Sequence, residues 1–429
     1  MKAHLGIDFG TTNSALAWAD DAGQSHVARF ALQGQPVGTF RSILYFDAER
    51  EWERGRPIGV AGPQAIEAYL ATDGEGRLMQ SMKTFLASRI VTGTNVFGCD
   101  FALERLIAQI ITALWDASKG QVDADMTRMV AGRPVRFAGS DSEADDDHAE
   151  GRLRAAFAAA GFEDVELVLE PVAAALHYES TLTADETVLV ADFGGGTSDF
   201  CLLRVGPSHR DDTSKDRIIG TRGVGVAGDN LDARIVQHLV GPALGAGSRY
   251  RSDMGNAMEI PRGIFDKLRK WNELSFLKTR KNIEMLLGYQ RAAVEPKKLE
   301  ALVHLVQANL GYRLYRAVEA VKVRLSSATA TELVFADGPI DIRAGLTRGD
   351  FEGWIAPELD ALASCVDTLL KDSGLDAGAV DTVFLTGGTG QVPAVRRLFA
   401  KRFGEHKLRT GQFLTSIASG LALHARLKA

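Results

Sequence analysis

The hydrophobic positions of this chain follow two alternating patterns. Short, nearly continuous apolar runs of strand length alternate with longer segments in which apolar residues recur at helical spacing. Within residues 392–403, for example, Val392, Val395, Leu398 and Phe399 share one helical face. Such alternation predicts an α/β protein. The predicted strands are 4–9, 15–19, 42–46, 128–132, 187–192, 200–205 and 382–386, and the predicted helices are 102–118, 149–160, 171–178, 228–240, 312–326, 348–373 and 392–403.

The most informative stretch is residues 188–203. An apolar strand runs into Asp192, and three glycines, Thr197 and a second acid, Asp199, follow before another apolar strand. Glycine allows close backbone approach and positive φ, so such a turn exposes N–H groups that can bind an anion. The two acids beside it suit a hydrated cation rather than the phosphate itself. The pattern therefore indicates a joint site for phosphate and a metal ion.

A second copy of this pattern lies near the N-terminus. Residues 5–18 contain an apolar strand, Asp8, Phe9 and Gly10, a hydroxyl-rich turn at residues 11–14, and another apolar strand. Internal repetition sets the architecture of a chain. Two hairpins of one design predict duplicated lobes that face a shared ligand, each supplying N–H and hydroxyl donors to the same phosphates.

Composition narrows the class of protein. The 429 residues are 45% hydrophobic and 24% charged, which is enough to bury a large core and to form more than one lobe. A formal net charge of −6, from 49 basic and 55 acidic residues, argues against a nucleic-acid-binding surface. Three widely spaced cysteines predict neither a disulfide framework nor a metal site and favour the reducing cytoplasm. We expect no signal peptide and no membrane span.

Several motifs together resemble the Hsp70 chaperones of the sugar kinase/Hsp70/actin superfamily. The segment that begins at Asp8 is similar to the first phosphate motif of the family, and the segment that begins at Asp192 is similar to the second. Residues 385–393 resemble the adenosine motif, 170–176 the connecting segment, and 319–327 the helix on the adenosine side. These signals fall in the family's order along the whole chain.

The resemblance implies a two-lobed actin-like ATPase fold of class α/β, built from duplicated ribonuclease H-like cores with helical insertions. The implied boundaries are 1–185 for lobe I, with a smaller subdomain at about 40–120, 186–408 for lobe II, with a helical insertion subdomain at about 229–345, and 409–429 for a C-terminal helix that returns to lobe I. The long stretch 262–310, and a chain end soon after the last ATPase helix, look most like the YegD-type Hsp70-like proteins. We therefore expect no peptide-binding domain.

The resemblance also implies roles for individual residues. Asp8 and Asp192 would hold Mg²⁺ through its water shell, Glu170 would place the metal-bound and attacking waters, Lys83 would face the γ-phosphate, and Asp199 would take part in a K⁺ site. The implied catalytic residues are Asp8, Lys83, Glu170, Asp192 and Thr197; the implied metal ligands are Asp8, Asp192 and Asp199; and the implied ATP- or ADP-binding residues are Gly10, Thr11, Thr12, Asn13, Gly194, Gly195, Gly196, Gly228, Glu319, Lys322, Ser326, Gly387, Gly388 and Gln391.

Two positions depart from the family pattern. Typical Hsp70 proteins hold the adenine between two arginines, and the matching positions here are Val323 and Gln391. Loss of both guanidinium planes removes stacking of about 0.5–2 kcal/mol per contact. We therefore expect weaker nucleotide binding, or a looser choice of base.

Two other stretches, residues 223–228 and 262–287, can each be interpreted either as a structural element or as a functional site. Residues 223–228 fit a dinucleotide-binding fingerprint but lack its βαβ context, and they match better the family's glycine-rich turn before Asp229. Residues 262–287 mix apolar residues, among them Trp271, with seven basic ones. They predict a helical insertion that packs against a lobe, with a membrane or partner surface as the alternative.

Three classes of function follow. The first is an Hsp70-like ATP-binding protein, a slow Mg²⁺-dependent ATPase whose lobe closure acts on an unidentified protein partner. The second is a nucleotide-dependent scaffold or enzyme-reactivating factor with little turnover. The third is a small-molecule kinase, which needs an acid that deprotonates a substrate hydroxyl beyond the γ-phosphate. No sugar-kinase signature is seen, so the first class is preferred.

Overall fold

The computed structural model describes residues 2–32, 34–47, 49, 52–53, 55–72, 75–122, 125–210, 215–252, 254–270, 274–410 and 415–428. Trp271 lies outside them. The chain divides into two compact units: the first comprises Met1–Thr72, Gly76–Gly228 and Leu359–Ala429, and the second comprises Asp73–Glu75 and Asp229–Glu358. The lobe boundaries expected from the sequence stay a prediction.

The bounds of the strands and helices are as follows. The strands are β1 (Lys2–Phe9), β2 (Asn13–Ala19), β3 (Ser25–Val27), β4 (Phe30–Leu32), β5 (Gln35–Val37), β6 (Phe40–Arg41), β7 (Ile43–Phe46), β8 (Trp52–Glu53), β9 (Arg56–Pro57), β10 (Val60–Ala61), β11 (Arg77–Gln80), β12 (Gly93–Val96), β13 (Cys99–Ala102), β14 (Asp125–Arg133), β15 (Val165–Leu169), β16 (Glu186–Phe193), β17 (Ser198–Val205), β18 (Ile218–Val224), β19 (Arg249–Arg251), β20 (Ala257–Glu259), β21 (Ala330–Asp337), β22 (Ile340–Thr347), β23 (Thr382–Thr386) and β24 (Leu408–Thr410). The α-helices are α1 (Pro63–Ala71), α2 (Leu103–Ser118), α3 (Glu143–Ala159), α4 (Glu170–Glu179), α5 (Gly228–Ile235), α6 (Gly241–Ala243), α7 (Arg262–Leu268), α8 (Arg280–Ala292), α9 (Pro296–Gln307), α10 (Gly311–Ser327), α11 (Arg348–Trp354), α12 (Ala356–Asp372), α13 (Pro393–Phe403) and α14 (Ser416–Leu427).

Two larger sheets of the first unit share one design. One has the order β15-β14-β1-β2-β3, with β6 also paired to β2, and the other has the order β18-β17-β16-β23-β24. In each, an antiparallel hairpin (β1–β2 or β16–β17) continues through parallel strands on the side of its first strand (β14 and β15, or β23 and β24). The duplication expected from the two hairpins is therefore present at the level of whole sheets.

Helices α4 and α14 pack against these sheets. They share one hydrophobic cluster with β14, β16 and β23, to which Val130, Val190, Phe384 and Leu421 contribute. The two helices approach each other so closely that a Cβ at Gly420 would overlap the carbonyl oxygen of Ala173. Only glycine fits there, and the close approach fixes α4, whose first residue is Glu170.

The second unit is mainly helical. It contains α5 to α11 and two hairpins, β19–β20 and β21–β22. Within stretch 262–287, Ile264, Phe265, Leu268 and Leu286 are buried. This burial favours the packing interpretation of the stretch. No described helix is long and apolar enough to cross a membrane.

Three predicted helices differ from the structure. The segment predicted as 348–373 is two helices, α11 and α12, because Pro357 has no backbone N–H and disfavours a helical conformation in the residue before it; α11 ends at Trp354, with Ile355 as its C-cap. The helix predicted from residue 149 begins at Glu143, since Ser142 caps it by accepting a hydrogen bond from the backbone N–H of Asp145. The segment predicted as 228–240 ends as an α-helix at Ile235 and continues as a π-helical turn.

Candidate functional site

The first glycine turn, residues 10–13, joins β1 to β2. A Cβ at Gly10 would overlap the carbonyl oxygen of Asn13, so the turn requires glycine at its start. Ser42, which lies between β6 and β7, supports the turn: its backbone N–H donates to Thr12 O at 3.0 Å, and its Oγ donates to Gly10 O at 2.7 Å. The local sequence thus holds a short, rigid turn directly after Asp8.

The second glycine turn, residues 194–197, joins β16 to β17. Its ends are held by the hydrogen bond from Gly194 N to Thr197 O, at 2.9 Å. A Cβ placed at Gly196 would lie 3.3 Å from Thr84 Cγ2 and 4.0 Å from Thr11 Oγ1. The two glycine turns, which are far apart in sequence, therefore face each other in the first unit, together with the short helical turn Met82–Phe85.

Lys83 is supplied by this helical turn, which we call the Lys83 turn. Its Nζ donates to Glu170 Oε1 at 2.6 Å, and the two side chains are only 7% and 9% exposed. Burial lowers the pKa of the Lys83 ammonium, but the neighbouring carboxylates Glu170, Asp8 and Asp199 outweigh it, so the net pKa is raised. Lys83 is therefore a fixed positive charge at neutral pH.

Three aspartates interact electrostatically with the Lys83 ammonium. Burial, followed by the nearby Glu170 carboxylate, raises the pKa of Asp8 and of Asp199 to about 7. The same two causes, with Asp199 and Asp8 as further neighbours, raise the pKa of Asp192 well above 3.8. Asp8, Glu170, Asp192 and Asp199, which we call the acid cluster, therefore interact with one another and with Lys83.

Asp199 is the most enclosed member of the acid cluster. Its carboxylate is 1% exposed and accepts hydrogen bonds from Arg136 N at 3.2 Å and from Thr197 Oγ1 at 3.0 Å. Thr197 thus connects the second glycine turn to the acid cluster.

The acid cluster fits a hydrated cation. Four carboxyl groups lie near one ammonium group, that of Lys83. If all four are ionised, a bound cation is needed to balance their negative charge. Among the described residues, however, no group of three or more His, Cys, Asp or Glu side chains is placed to ligate a metal directly. A hydrated Mg²⁺ suits the acid cluster, because Mg²⁺ keeps several waters and is bound through few carboxylates.

The remaining predicted residues of the first unit lie beside the second hairpin. Thr386, the last residue of β23, pairs with Asp192, and a Cβ at Gly387 (φ 79°) would overlap the carbonyl oxygen of Phe193. Gly228 N donates to Gly194 O at 3.3 Å. Gly388 and Gln391 are exposed.

Glu319, Lys322 and Ser326 belong to the second unit, on α10. Lys322 Nζ donates to Asp232 Oδ2 at 2.7 Å, and Ser326 Oγ donates to Lys322 O at 3.5 Å. Glu319 accepts from Arg316 at 2.8 Å. Lys322 therefore forms a buried ion pair with Asp232 within this unit, and Glu319 and Ser326 lie on the same helix as Lys322.

Sequence reasoning missed several contributors. Asp232 carries a signal that could have found it, because it lies three residues after Asp229 on α5 and so on the same helical face. Burial, then Asp232, raises the pKa of Asp229 to about 7. Ser42 and Arg136 carry no local signal, since each reaches its turn only through the fold. Val323, expected beside the adenine, is 62% exposed.

Comparison with known proteins identifies the family. The family model described as "Hsp70 protein" matches residues 78–259 and 296–428, which is more than half of the chain. The chain belongs to the Hsp70 family. Its α/β architecture is accordingly the actin-like ATPase fold, and the Hsp70 family binds ATP or ADP with Mg²⁺.

Three relatives illustrate the extent of the similarity. The chain is 28% identical to "Heat shock 70 kDa protein 7, chloroplastic" of Arabidopsis thaliana over 94% of its own length and 49% of the relative. It is 29% identical to the stromal 70 kDa heat shock-related protein of Pisum sativum (98% and 52%), and 24% identical to the chaperone protein dnaK of Gracilaria tenuistipitata var. liui (99% and 60%). The chain thus spans about half the length of the curated Hsp70 relatives it matches.

Proposed function

We propose that this Hsp70-family chain binds ATP with Mg²⁺ between its two glycine turns and hydrolyses it slowly to ADP. The observation that carries the proposal is the convergence of both turns on the acid cluster and Lys83 within the first unit. The turns offer backbone N–H groups to phosphate oxygens, and the acid cluster offers carboxylates to a hydrated cation.

The residues of the chain would share the catalytic work as follows. Bound Mg²⁺ would supply charge neutralisation at the phosphate oxygens. Asp8 and Asp192 would hold its waters, and the Lys83 ammonium would face the γ-phosphate. The Glu170 carboxylate, held by Lys83 at 2.6 Å, would orient the attacking water and accept its proton.

We also propose that the nucleotide acts through a protein partner. ATP and ADP differ by one phosphate, and that phosphate would lie where the two glycine turns meet. Nucleotide state would then bias the lobes between open and closed forms, and a partner that prefers one form would respond. This is the chaperone-like function that family membership supports.

The finer assignments are proposals as well. We propose a YegD-type subtype from the long stretch 262–310, and a K⁺ site at Asp199 from its position beside Thr197. Cys99, Cys201 and Cys365 are free thiols, which favours the cytoplasm.

ATP hydrolysis with Mg²⁺ and K⁺ tests the proposal. Turnover should fall by at least about 100-fold in Asp192→Asn and by about tenfold or more in Thr197→Ala, the range for lost electrostatic and positioning groups. Asp341→Asn is the matched control, because Asp341 is an exposed acid of the second unit paired with Arg343. Unchanged turnover in both site variants would remove the catalytic assignment. Nucleotide-dependent assembly without turnover would favour the scaffold.

A further inference from the structure

The backbone of the loop that contains the Lys83 turn is bound at several points by Arg152. Arg152, on α3, is 8% exposed, and its Nε is bound to the Glu104 carboxylate on α2. Its two terminal nitrogens converge on the backbone of the loop. Nη1, whose two hydrogens are shared among four acceptors, donates to the carbonyl oxygens of Phe85 (3.2 Å), Leu86 (3.4 Å), Ser88 (3.0 Å) and Val91 (3.1 Å), and Nη2 donates to that of Thr92 (3.5 Å).

One residue connects this arginine to the backbone of Lys83. Leu86, which is fully buried, donates its N–H to Lys83 O at 3.2 Å, and its own carbonyl accepts from Arg152. Ser81 immediately precedes the Lys83 turn, and its φ of 54° is in the left-handed region. A non-glycine residue in that region is strained, and it persists only where the surrounding structure holds it.

The other side of the Lys83 turn contacts the site. Lys83 Nζ binds Glu170, and Thr84 Cγ2 lies against the second glycine turn at Gly196. A shift of the Lys83 turn would therefore move the ammonium group relative to the phosphate-binding backbone. Displacements of about 1 Å from changes remote from the chemistry can cost about 100-fold in rate.

We propose that Arg152 is a positioning residue that fixes the Lys83 turn and, through it, the Lys83 ammonium. The inference rests on the proposed ATPase function. Arg152 itself touches no reacting group; it acts by holding the backbone of residues 85–92 in one arrangement.

The choice of residue type supports this role. A guanidinium is costly to bury unless its donors are satisfied. On α3 the neighbouring positions Ala149, Leu153 and Ala156 are apolar and fully buried, so an apolar side chain would suit the helix. Arginine provides five donors in a fixed plane, whereas lysine provides three at one point. Only arginine can serve carbonyls spread over residues 85–92 and a carboxylate at once.

Arg152→Met and Arg152→Lys test the inference, with Leu153→Ala as the matched control. Leu153 is fully buried on the same helix, and its truncation leaves a cavity without removing a hydrogen-bond donor from the loop. We expect kcat of ATP hydrolysis to fall by about 10- to 100-fold in Arg152→Met, with KM for ATP unchanged. Leu153→Ala should keep its kcat at temperatures where it stays folded.

Hydrogen exchange of the amides of residues 82–92 is the second readout, and it needs no catalysis. Exchange there should speed up by at least about tenfold in Arg152→Met and not in Leu153→Ala. A third variant, Arg152→Ala, leaves room for a free guanidinium ion. Millimolar guanidinium should slow the exchange of these amides in Arg152→Ala, whereas the same concentration of KCl should not. If Arg152→Met fails to fold, the same two measurements, kcat and amide exchange, are made on Arg152→Lys and decide the question.

Unchanged kcat and exchange in the Arg152 variants, or equal changes in Leu153→Ala, would overturn the inference. Failure of the proposed function is a different result: the unaltered chain would show no turnover. In that case the exchange of residues 82–92 alone decides whether Arg152 holds the Lys83 turn.

Discussion

Replacement of Asp199 by asparagine should make the free energy of unfolding less sensitive to pH. The Asp199 carboxyl is 1% exposed, and burial, followed by the nearby Glu170, raises its pKa from 3.8 to about 7. A carboxyl group whose pKa rises on folding binds its proton more tightly in the folded protein. Its stabilising contribution is therefore complete below pH 4 and is lost as the pH rises through 7.

The size of the effect follows from the shift. Each pH unit between about 4 and 7 costs about 1.4 kcal/mol, so ionised Asp199 lowers the stability of the free protein by about 4 kcal/mol at pH 8. Asparagine does not titrate and keeps an oxygen for the N–H of Arg136. Asp199→Asn should therefore be about as stable as the unaltered chain at pH 4, and several kcal/mol more stable at pH 8.

Urea unfolding at pH 4 to 8, in EDTA and without nucleotide, measures this difference. Asp341→Asn, at an exposed acid paired with Arg343, serves as the control and should follow the unaltered chain at every pH. A difference between Asp199→Asn and the unaltered chain that stays flat from pH 4 to 8 would refute the reasoning. It would mean that Asp199 is not held in a buried, carboxylate-rich site.

Three further predictions concern the same site. Lys83→Met should lower kcat by about 100-fold or more, and it should lower the free energy of unfolding in urea by about 3–5 kcal/mol, because it leaves buried carboxylates without a compensating charge. The control Lys119→Met removes one member of an exposed ion pair and should change the free energy of unfolding by less than about 1 kcal/mol. Gly387→Ala should lower the melting temperature much more than Gly374→Ala, because both have positive φ but only Gly387 would overlap a backbone carbonyl; equal losses would contradict this. The rise in melting temperature caused by Mg²⁺ and ADP should be larger at pH 8 than at pH 5.5, because protons compete with the cation for carboxyls of pKa about 7; the opposite order would argue against a cation at the acid cluster.

The hairpins of the site could be predicted from sequence because their signal is local. Asp8 and Asp192 each follow an apolar strand and precede a glycine turn, and both turns are present where the pattern placed them. The placement of Lys83 beside Glu170 could not come from a pattern, since 87 residues separate them; only family resemblance indicated it. The pKa values likewise depend on burial and neighbours that no local sequence contains.

Arg152 shows the limit of sequence reasoning most clearly. The carbonyls it serves lie 60 to 67 residues away and belong to residues of unrelated types. In the sequence it is one basic residue on a helix, with no spacing or motif to set it apart. Helix ends are a different case: the division between α11 and α12 has a local signal, because Pro357, two residues after Ile355, has no backbone N–H and disfavours a helical conformation in the residue before it.

The most direct test of the account is a crystal structure of the chain with Mg²⁺ and a non-hydrolysable ATP analogue. The account predicts one polyphosphate whose oxygens lie within about 3.2 Å of N–H groups from both residues 10–13 and residues 194–197. The metal should lie near Asp8 and Asp192 through water. A polyphosphate bound to one turn alone, or at a place remote from both aspartates, would contradict it.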